Sequence, residues 1–479
     1  MIGRQNPQSN FFDQEIFSRM IPEDHPLVLI KKYVDFSFVN EEAARHYHPE
    51  LGRPSFPPEV LFRVLFLEVW ANLSDLQVCR ELRYNVLYRW FCGLGWEDEV
   101  PDDTTLVVFR RRLGEEGFRR LFERVVQQAK EKGLVRGKWA IVDGTKVVAH
   151  AAVKNHLSLV REGRKRLLRV LARYDAQAAR ELESLAEPER DADYADHEQL
   201  LAAEILKGQE LLNRLEDYQQ QDLAELRELY RKAVELQGVA SFSDPDARWG
   251  FKKKGEPFLG YKAHVACDET GMVTAVDVTP GNEVELPQAK GLVTQLKQQD
   301  LKPKYFAADK AFDDAAFRAE LAQENIRAYI PCRQDLKRLS RQGFAYDPKT
   351  GVVTCPAGKQ ATGRSLHQKG GYLYYFSERD CAACALKGTC LTKSQKRKVI
   401  YLKPEVLRHR PRGIKRAMRL RKTIERLFGE VKTWHRMHRA RYRGLGRVTI
   451  QVLLTFLVAN AKKMAARLAA RGSVSTCGT

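Results

Sequence analysis

The stretch Trp139-Ala140-Ile141-Val142-Asp143-Gly144-Thr145 reads as a short apolar strand that ends on a carboxylate. A continuous apolar run bounded by a turn signal suits a buried strand. Val147-Val148-Ala149 either continues that strand or pairs back on it. A second run of the same kind, Tyr305-Phe306-Ala307-Ala308, ends at Asp309. Between them, Phe258 to Cys267 and Met272 to Thr279 are joined by Asp268-Glu269-Thr270-Gly271, a hairpin with a glycine-containing turn. Helical patterns over Leu286 to Gln299 and Asp313 to Gln323 lead to another strand, Ala328-Tyr329-Ile330. A hairpin followed by alternating helix and strand predicts a mixed sheet flanked by helices, an α/β architecture.

Working outward, residues 1–135 read as an all-α region. Val60 to Trp70 is a buried helix, with further helices over Cys79 to Trp90 and Thr105 to Lys132. Pro101-Asp102-Asp103-Thr104 supplies a helix start. The run Arg110-Arg111-Arg112 suits DNA contact and equally suits a solvated helix face. Residues 157–238 carry Leu, Ala, Glu and Arg at helical spacing, with a polar break from Pro188 to Asp196. They predict a long helical hairpin, a salt-laced surface coiled coil, inserted between 136–156 and 239–350 of the α/β core. Residues 351–400 form a small Cys-rich insertion, and basic helices over 401–479 complete the core.

The chain has 479 residues, a formal charge of +20 and a pI near 9.5. The charge is concentrated. Leu391 to Ile450 holds 20 Lys and Arg against 3 Asp and Glu, an excess of 17. Such a block implies a polyanionic partner, most simply nucleic acid. No run of about 18 apolar residues marks a membrane span, Val452 to Ala461 reads as a core helix, and Met1 to Asn10 lacks an apolar signal region. A cytoplasmic, reduced location without membrane contact is expected, since nine cysteines in so long a chain make no disulfide scaffold.

In the basic block, Met418 to Lys432 places Arg421, Glu425 and Lys432 on one helical stripe beside an apolar stripe of Ile424, Leu427, Phe428 and Val431. Crevices beyond strand ends are where α/β sheets hold ligands. Asp143 and Asp309 at two strand ends, joined by Glu425 from the helix, would repel one another without a cation. Oxygen donors and a phosphate substrate favour Mg²⁺, or Mn²⁺ in its place, and two such ions serve in-line displacement at phosphorus. Singly, each carboxylate also has a structural reading: Asp143-Gly144 a turn, Asp309 a helix cap, Glu425 an ion pair with Arg421. Asp244 and Asp246 lie in a basic surround of Arg248, Lys252, Lys253 and Lys254. They suit a turn or cap, and are the next candidates for the carboxylate cluster.

Cys355, Cys381, Cys384 and Cys390 are spaced C-x25-C-x2-C-x5-C, which suits a closed structural Zn²⁺ site; four ordinary thiols is the alternative. Cys79, Cys92, Cys267, Cys332 and Cys477 lack ligand spacing and read as packing residues. After Lys432, the strip His435, Arg436, His438, Arg439, Arg441, Tyr442 and Arg443 predicts contact with a DNA backbone.

These motifs carry a resemblance. Arg421-x3-Glu425-x6-Lys432 is similar to the R-E-K part of the Y-R-E-K signature of bacterial insertion-sequence transposases, DDE enzymes with an RNase H-like core. Val142-Asp143-Gly144-Thr145 and Ala308-Asp309-Lys310-Ala311-Phe312-Asp313 resemble that family's two aspartate motifs. Ser243 to Trp249, Gly260-Tyr261-Lys262 and Thr279-Pro280-Gly281-Asn282 resemble other segments of its core, and related transposases carry a similar cysteine cluster. The tyrosine of the signature is Met418 here. The resemblance implies a metal-binding triad of Asp143, Asp309 and Glu425, and DNA contacts by Arg421, Lys432, Arg436, Arg439 and Arg443. It implies binding to terminal inverted repeats, cleavage by hydrolysis, joining of the 3′-hydroxyl to target DNA, and a homodimer. A nuclease of the same fold that does not join strands, and a DNA-binding protein that has lost catalysis, are the rival readings.

Overall fold

The computed structural model describes residues 1–3, 11–48, 50–190, 193–253, 255–331, 336–347, 350–368, 370–392, 394–403 and 413–476. Cys332, Cys477 and Lys254 lie outside the described residues, as do the side chains of Lys252 and Lys253.

The central sheet has six strands: β1 (Trp139–Val148), β2 (Arg248–Lys253), β3 (Glu256–Cys267), β4 (Val273–Pro280), β5 (Tyr305–Ala307) and β6 (Arg327–Tyr329). Their order is β2-β3-β1-β5-β6, with β4 also paired to β3. β3 runs antiparallel to β1, β2 and β4, whereas β5 is parallel to β1 and β6 to β5. The expected mixed sheet is therefore present. β1 runs straight through Asp143, so Val147 and Val148 continue the strand and Asp143-Gly144 is no turn. β2 was not expected from the sequence; it covers Arg248 to Lys253, where Pro245 and a run of lysines masked the strand pattern.

One apolar cluster runs from the N-terminal helices through the sheet to two C-terminal helices, Ile414–Trp434 and Leu445–Thr476. The last of these is the pillar of the molecule. It packs on the helices Pro26–Tyr33, Pro58–Trp70 and Asp103–Glu131 and on β4. By length and mean composition it could cross a bilayer, but Arg447, Gln451 and Asn460 interrupt its apolar run, as the sequence led us to expect, and 89% of its apolar window is buried in the protein. It is a core helix.

Several helices differ from their sequence patterns. The helix expected over Cys79 to Trp90 is two helices, Asp75–Glu81 and Val86–Cys92. Asn85 separates them by capping the second, its side chain accepting from Tyr88 N at 3.1 Å. In the long helix Asp103–Glu131 the backbone breaks at Gly114 (φ 61°, ψ −174°), a conformation that glycine adopts without a side-chain clash.

Residues 157–238 do not form a two-helix coiled coil. The region holds His156–Leu171, Ala176–Glu181, Glu183–Ala186, His197–Arg214 and Gln221–Val234, which close on an apolar cluster of their own. Tyr230 is wholly buried there between glycines of two other helices, Gly163 and Gly208, where any added methyl would strike its ring. Arg164 and Glu204, both without exposure, form an ion pair inside, and Arg161 Nε reaches the same carboxylate at 2.6 Å. A third apolar cluster holds Leu339, Phe344, Val353, Tyr374, Phe376, Ile400 and Leu402.

Candidate active site

The parallel register of β1 and β5 sets the geometry. Ile141 lies beside Ala307, the last pair in the ladder. Asp143 and Asp309 each stand two residues further along their chains, so the same register delivers them side by side. Both are half-buried. Asp143 Oδ1 accepts from Gly144 N at 2.9 Å. Asp309 caps the short 3₁₀ turn Lys310–Phe312, accepting from Ala311 N at 2.7 Å. The cap and the site position are thus the same conformation. Burial pushes the Asp143 carboxyl above its ordinary range, Arg421 opposes this, and the charge of Asp309 pushes further upward.

Arg421 comes from the helix Ile414–Trp434, whose buried stripe of Ala417, Ile424, Leu427, Phe428 and Val431 packs it against the sheet. Its Nη2 donates to Asp143 Oδ2 at 2.8 Å and lies 3.9 Å from Glu425 Oε1. Glu425 is connected to Asp143 through this guanidinium and is itself 57% exposed. Met418 packs its side chain on the main core.

A further carboxylate lies within electrostatic reach of the aspartates. Glu285 is the first residue of the helix Glu285–Gln298. Burial pushes its carboxyl above the ordinary range, the charge of Lys262 opposes this, and the charges of Asp309 and Asp143 add to it. The sequence reading began this helix at Leu286 and passed over Glu285. An acidic residue at a helix start after Thr279-Pro280-Gly281-Asn282 was the available signal.

The donor set is hard oxygen throughout, and the charge of Asp309 raises the proton affinity of Asp143 while both aspartates raise that of Glu285, a repulsion that a divalent cation relieves. Among the described residues, however, no three His, Cys, Asp or Glu side chains already stand as a ligand shell. The four cysteines are free thiols around one cavity. Burial raises the Cys390 thiol, Lys398 opposes this, and Cys381, Cys355 and Cys384 add to the rise, so those three lie within electrostatic reach of Cys390.

The basic strip divides into structural and surface residues. His435 is buried, with Nδ1 2.9 Å from Val69 O, so its expected place in a DNA-contacting strip is corrected. Arg441 Nη1 lies 3.2 Å from Glu68 Oε1, and the Tyr442 hydroxyl donates to the same oxygen at 3.0 Å. Arg110 is likewise buried, donating to Asp75 at 2.8 Å and Glu68 at 3.2 Å. Arg441, Tyr442 and Arg110 thus converge on the buried Glu68. Arg111, Arg112, Arg436, Arg439 and Arg443 are exposed, with Arg443 Nε bonded to His150 O at 3.1 Å, and Lys432 is half-buried. Backbone bonds from Val148 N to His438 O and from Ala440 N to Val148 O stitch the strip to the end of β1.

Asp244 and Asp246 do not join the carboxylates. Asp244 accepts from the Tyr261 hydroxyl and from Gly444 N, and Asp246 accepts from Leu445 N at 2.8 Å. They cap the helix Leu445–Thr476, as the turn-or-cap reading expected.

Two family models match the chain. One described as "Transposase DDE domain" matches residues 222–461, half of the sequence, and includes Asp309, Arg421, Glu425 and Lys432. One described as "Transposase domain (DUF772)" matches residues 15–112, within the N-terminal helices. Asp143 lies between the two matched segments. No solved structure matches the chain.

Proposed function

Because the chain belongs to the transposase DDE family, we propose that it is a DNA transposase that binds the inverted repeats of an insertion sequence, cleaves DNA at the element ends and joins the freed 3′-hydroxyl to target DNA. The observation that carries this reading is the parallel β1–β5 register, which sets Asp143 beside Asp309, with Arg421 laid on Asp143 from a strongly basic helix. Asp143, Asp309 and Glu425 are the residues proposed to hold Mg²⁺ or Mn²⁺. Bound there, two such ions would activate a water or a 3′-hydroxyl and stabilise the leaving oxygen of an in-line displacement.

The chain's own residues do the rest. Asp143 and Asp309, fixed by strand register and by a cap, supply preorganised oxygen donors. Arg421 neutralises Asp143 in the absence of substrate and, on release from it, clamps a phosphate oxygen beside the reacting bond. Lys432, eleven residues further on the same helix, holds the backbone, and Arg436, Arg439 and Arg443 extend that contact along DNA. A homodimer would bring two element ends together. The four cysteines are proposed to hold a structural Zn²⁺, supported by their spacing and their shared cavity.

Purified protein, a labelled end fragment and Mg²⁺ test the reading. Both nicked and joined products are expected, and both should vanish with Asp143→Asn, Asp309→Asn or Glu425→Gln. Cleavage with no joined product would identify a nuclease instead. Binding that is unaccompanied by either product would leave a DNA-binding protein.

A further inference from the structure

A methyl group added at Gly144 would stand 3.3 Å from Glu285 Oε1 and 3.8 Å from His264 Nδ1. Two polar groups from different elements therefore border the space that this glycine leaves open, next to Asp143. His264 lies directly across from Gly144 in the β1–β3 ladder. It is 1% exposed, and its Nε2 is 2.8 Å from Thr279 Oγ1. Its Nδ1 is buried and has no hydrogen-bond partner among the described residues. Buried ring nitrogens are almost always paired, so an orphan aimed at a carboxylate position calls for an explanation. With the Thr279 hydroxyl donating to Nε2, the ring proton sits on Nδ1, and a carboxylate is its matching acceptor.

Glu285 also lies within reach of the charges of Asp143 and Asp309. We propose that Glu285 is a fourth carboxylate of the divalent-cation centre, seated over Gly144, and that it takes the unpartnered Nδ1–H of His264 as its donor when the cation is bound. The proposal rests on the reading that Asp143 and Asp309 hold that cation. Glu285 supplies an oxygen donor to the cation's shell, and His264 is a positioning residue that acts through Glu285. A side chain at Gly144 then crowds the seat, since even its first carbon would press on the Glu285 carboxylate.

Mn²⁺ binding to the full chain without DNA, followed by loss of the free-ion electron paramagnetic resonance signal, tests this independently of activity. Glu285→Gln should weaken Mn²⁺ about tenfold, and Gly144→Ala, which keeps every carboxylate, should also weaken it. His264→Asn keeps an amide donor near the Nδ1 position and should retain affinity. His264→Gln moves the donor to the Nε2 side and should lose affinity by about threefold. Glu283→Gln, an exposed neighbour, serves as the control and should bind as wild type. If Asp143→Asn and Asp309→Asn abolish binding while Glu285→Gln and Gly144→Ala bind normally, the fourth carboxylate is wrong and the centre stands. If the two aspartate variants themselves bind normally, the centre is wrong too.

Discussion

Replacing Arg421 by glutamine should move two measurable quantities in opposite directions. Arg421 Nη2 and Asp143 Oδ2 are 2.8 Å apart, with side-chain exposures of 15% and 17%. At an effective dielectric of about 20, their attraction is roughly 6 kcal/mol before desolvation. Breaking a fully buried pair costs about 3–5 kcal/mol and an exposed one about 0–1. With this much exposure, and with Gly144 N still bonded to Asp143, about 2 kcal/mol is the expected loss of stability in metal-free protein. The Asp143 carboxylate is then left with the charges of Asp309 and Glu285 and no cation. A divalent ion that takes the place of the guanidinium recovers the loss, because it binds the folded form alone. Mn²⁺ affinity should therefore rise, by up to about thirtyfold if all 2 kcal/mol are recovered at about 1.4 kcal/mol per decade. DNA cleavage should nonetheless fall if Arg421 clamps phosphate as proposed. Arg421→Lys keeps the charge and should lie between wild type and Arg421→Gln in both respects. Urea unfolding in the presence of chelator gives the first quantity and Mn²⁺ titration the second. An Arg421→Gln protein that binds Mn²⁺ more weakly than wild type would refute the reasoning, because Arg421 would then be helping the cation instead of standing in for it.

Metal analysis of purified protein should find about one Zn per chain, and Cys381→Ser with Cys384→Ser should remove it; zinc retained in that double variant would place the metal elsewhere. Lys31 gives a pH-dependent test in the N-terminal helices. Burial and the adjacent Arg63 lower its ammonium to about 8, with Cys92 and Glu59 opposing, while the unfolded value is 10.5. Between those values the unfolded chain holds a proton that the folded chain has released, so this group's contribution to stability rises with pH across about 8 to 10.5. The stability advantage of Lys31→Met over wild type at pH 7 should shrink by about 3 kcal/mol by pH 10.5. A gap that stays constant with pH would show that Lys31 is not desolvated.

What the sequence revealed follows from how far each signal reaches along the chain. β3, β4, β5 and the helix Glu285–Gln298 were legible because their apolar patterns are local and are bounded by Asp, Gly and Pro. Asp143 and Asp309 were legible for the same reason. Their convergence was expected from their places after two apolar strands, but the parallel pairing and its register were not, because they join segments more than 160 residues apart. Glu285 stayed hidden because nothing near it in sequence announces Gly144 or His264. The coiled-coil expectation for 157–238 failed on Gly163, Gly208 and Tyr230, a tertiary contact that converts amphipathic helices into a closed bundle. Arg110 and Arg441 illustrate the limit of charge counting. Both belong to basic runs, and both are spent on Glu68 inside the protein.

That buried network also determines what the N-terminal helices do for the site. The helix carrying Arg421 ends at Trp434, and the chain that follows is fastened at once to the helix Pro58–Trp70. His435 bonds to Val69 O, and Arg441 and Tyr442 converge on Glu68, which Arg110 also reaches from the helix Asp103–Glu131. A carboxylate in so apolar a setting tolerates ionisation only with such partners, so removing one leaves the others unbalanced. The end of β1 is tied to the same strip through Val148. The strand that carries Asp143 and the helix that carries Arg421 are thus referenced to one anchor in the N-terminal helices. Their 2.8 Å contact is thereby tied to residues remote from it, and the N-terminal helices act as part of the framework of the candidate site.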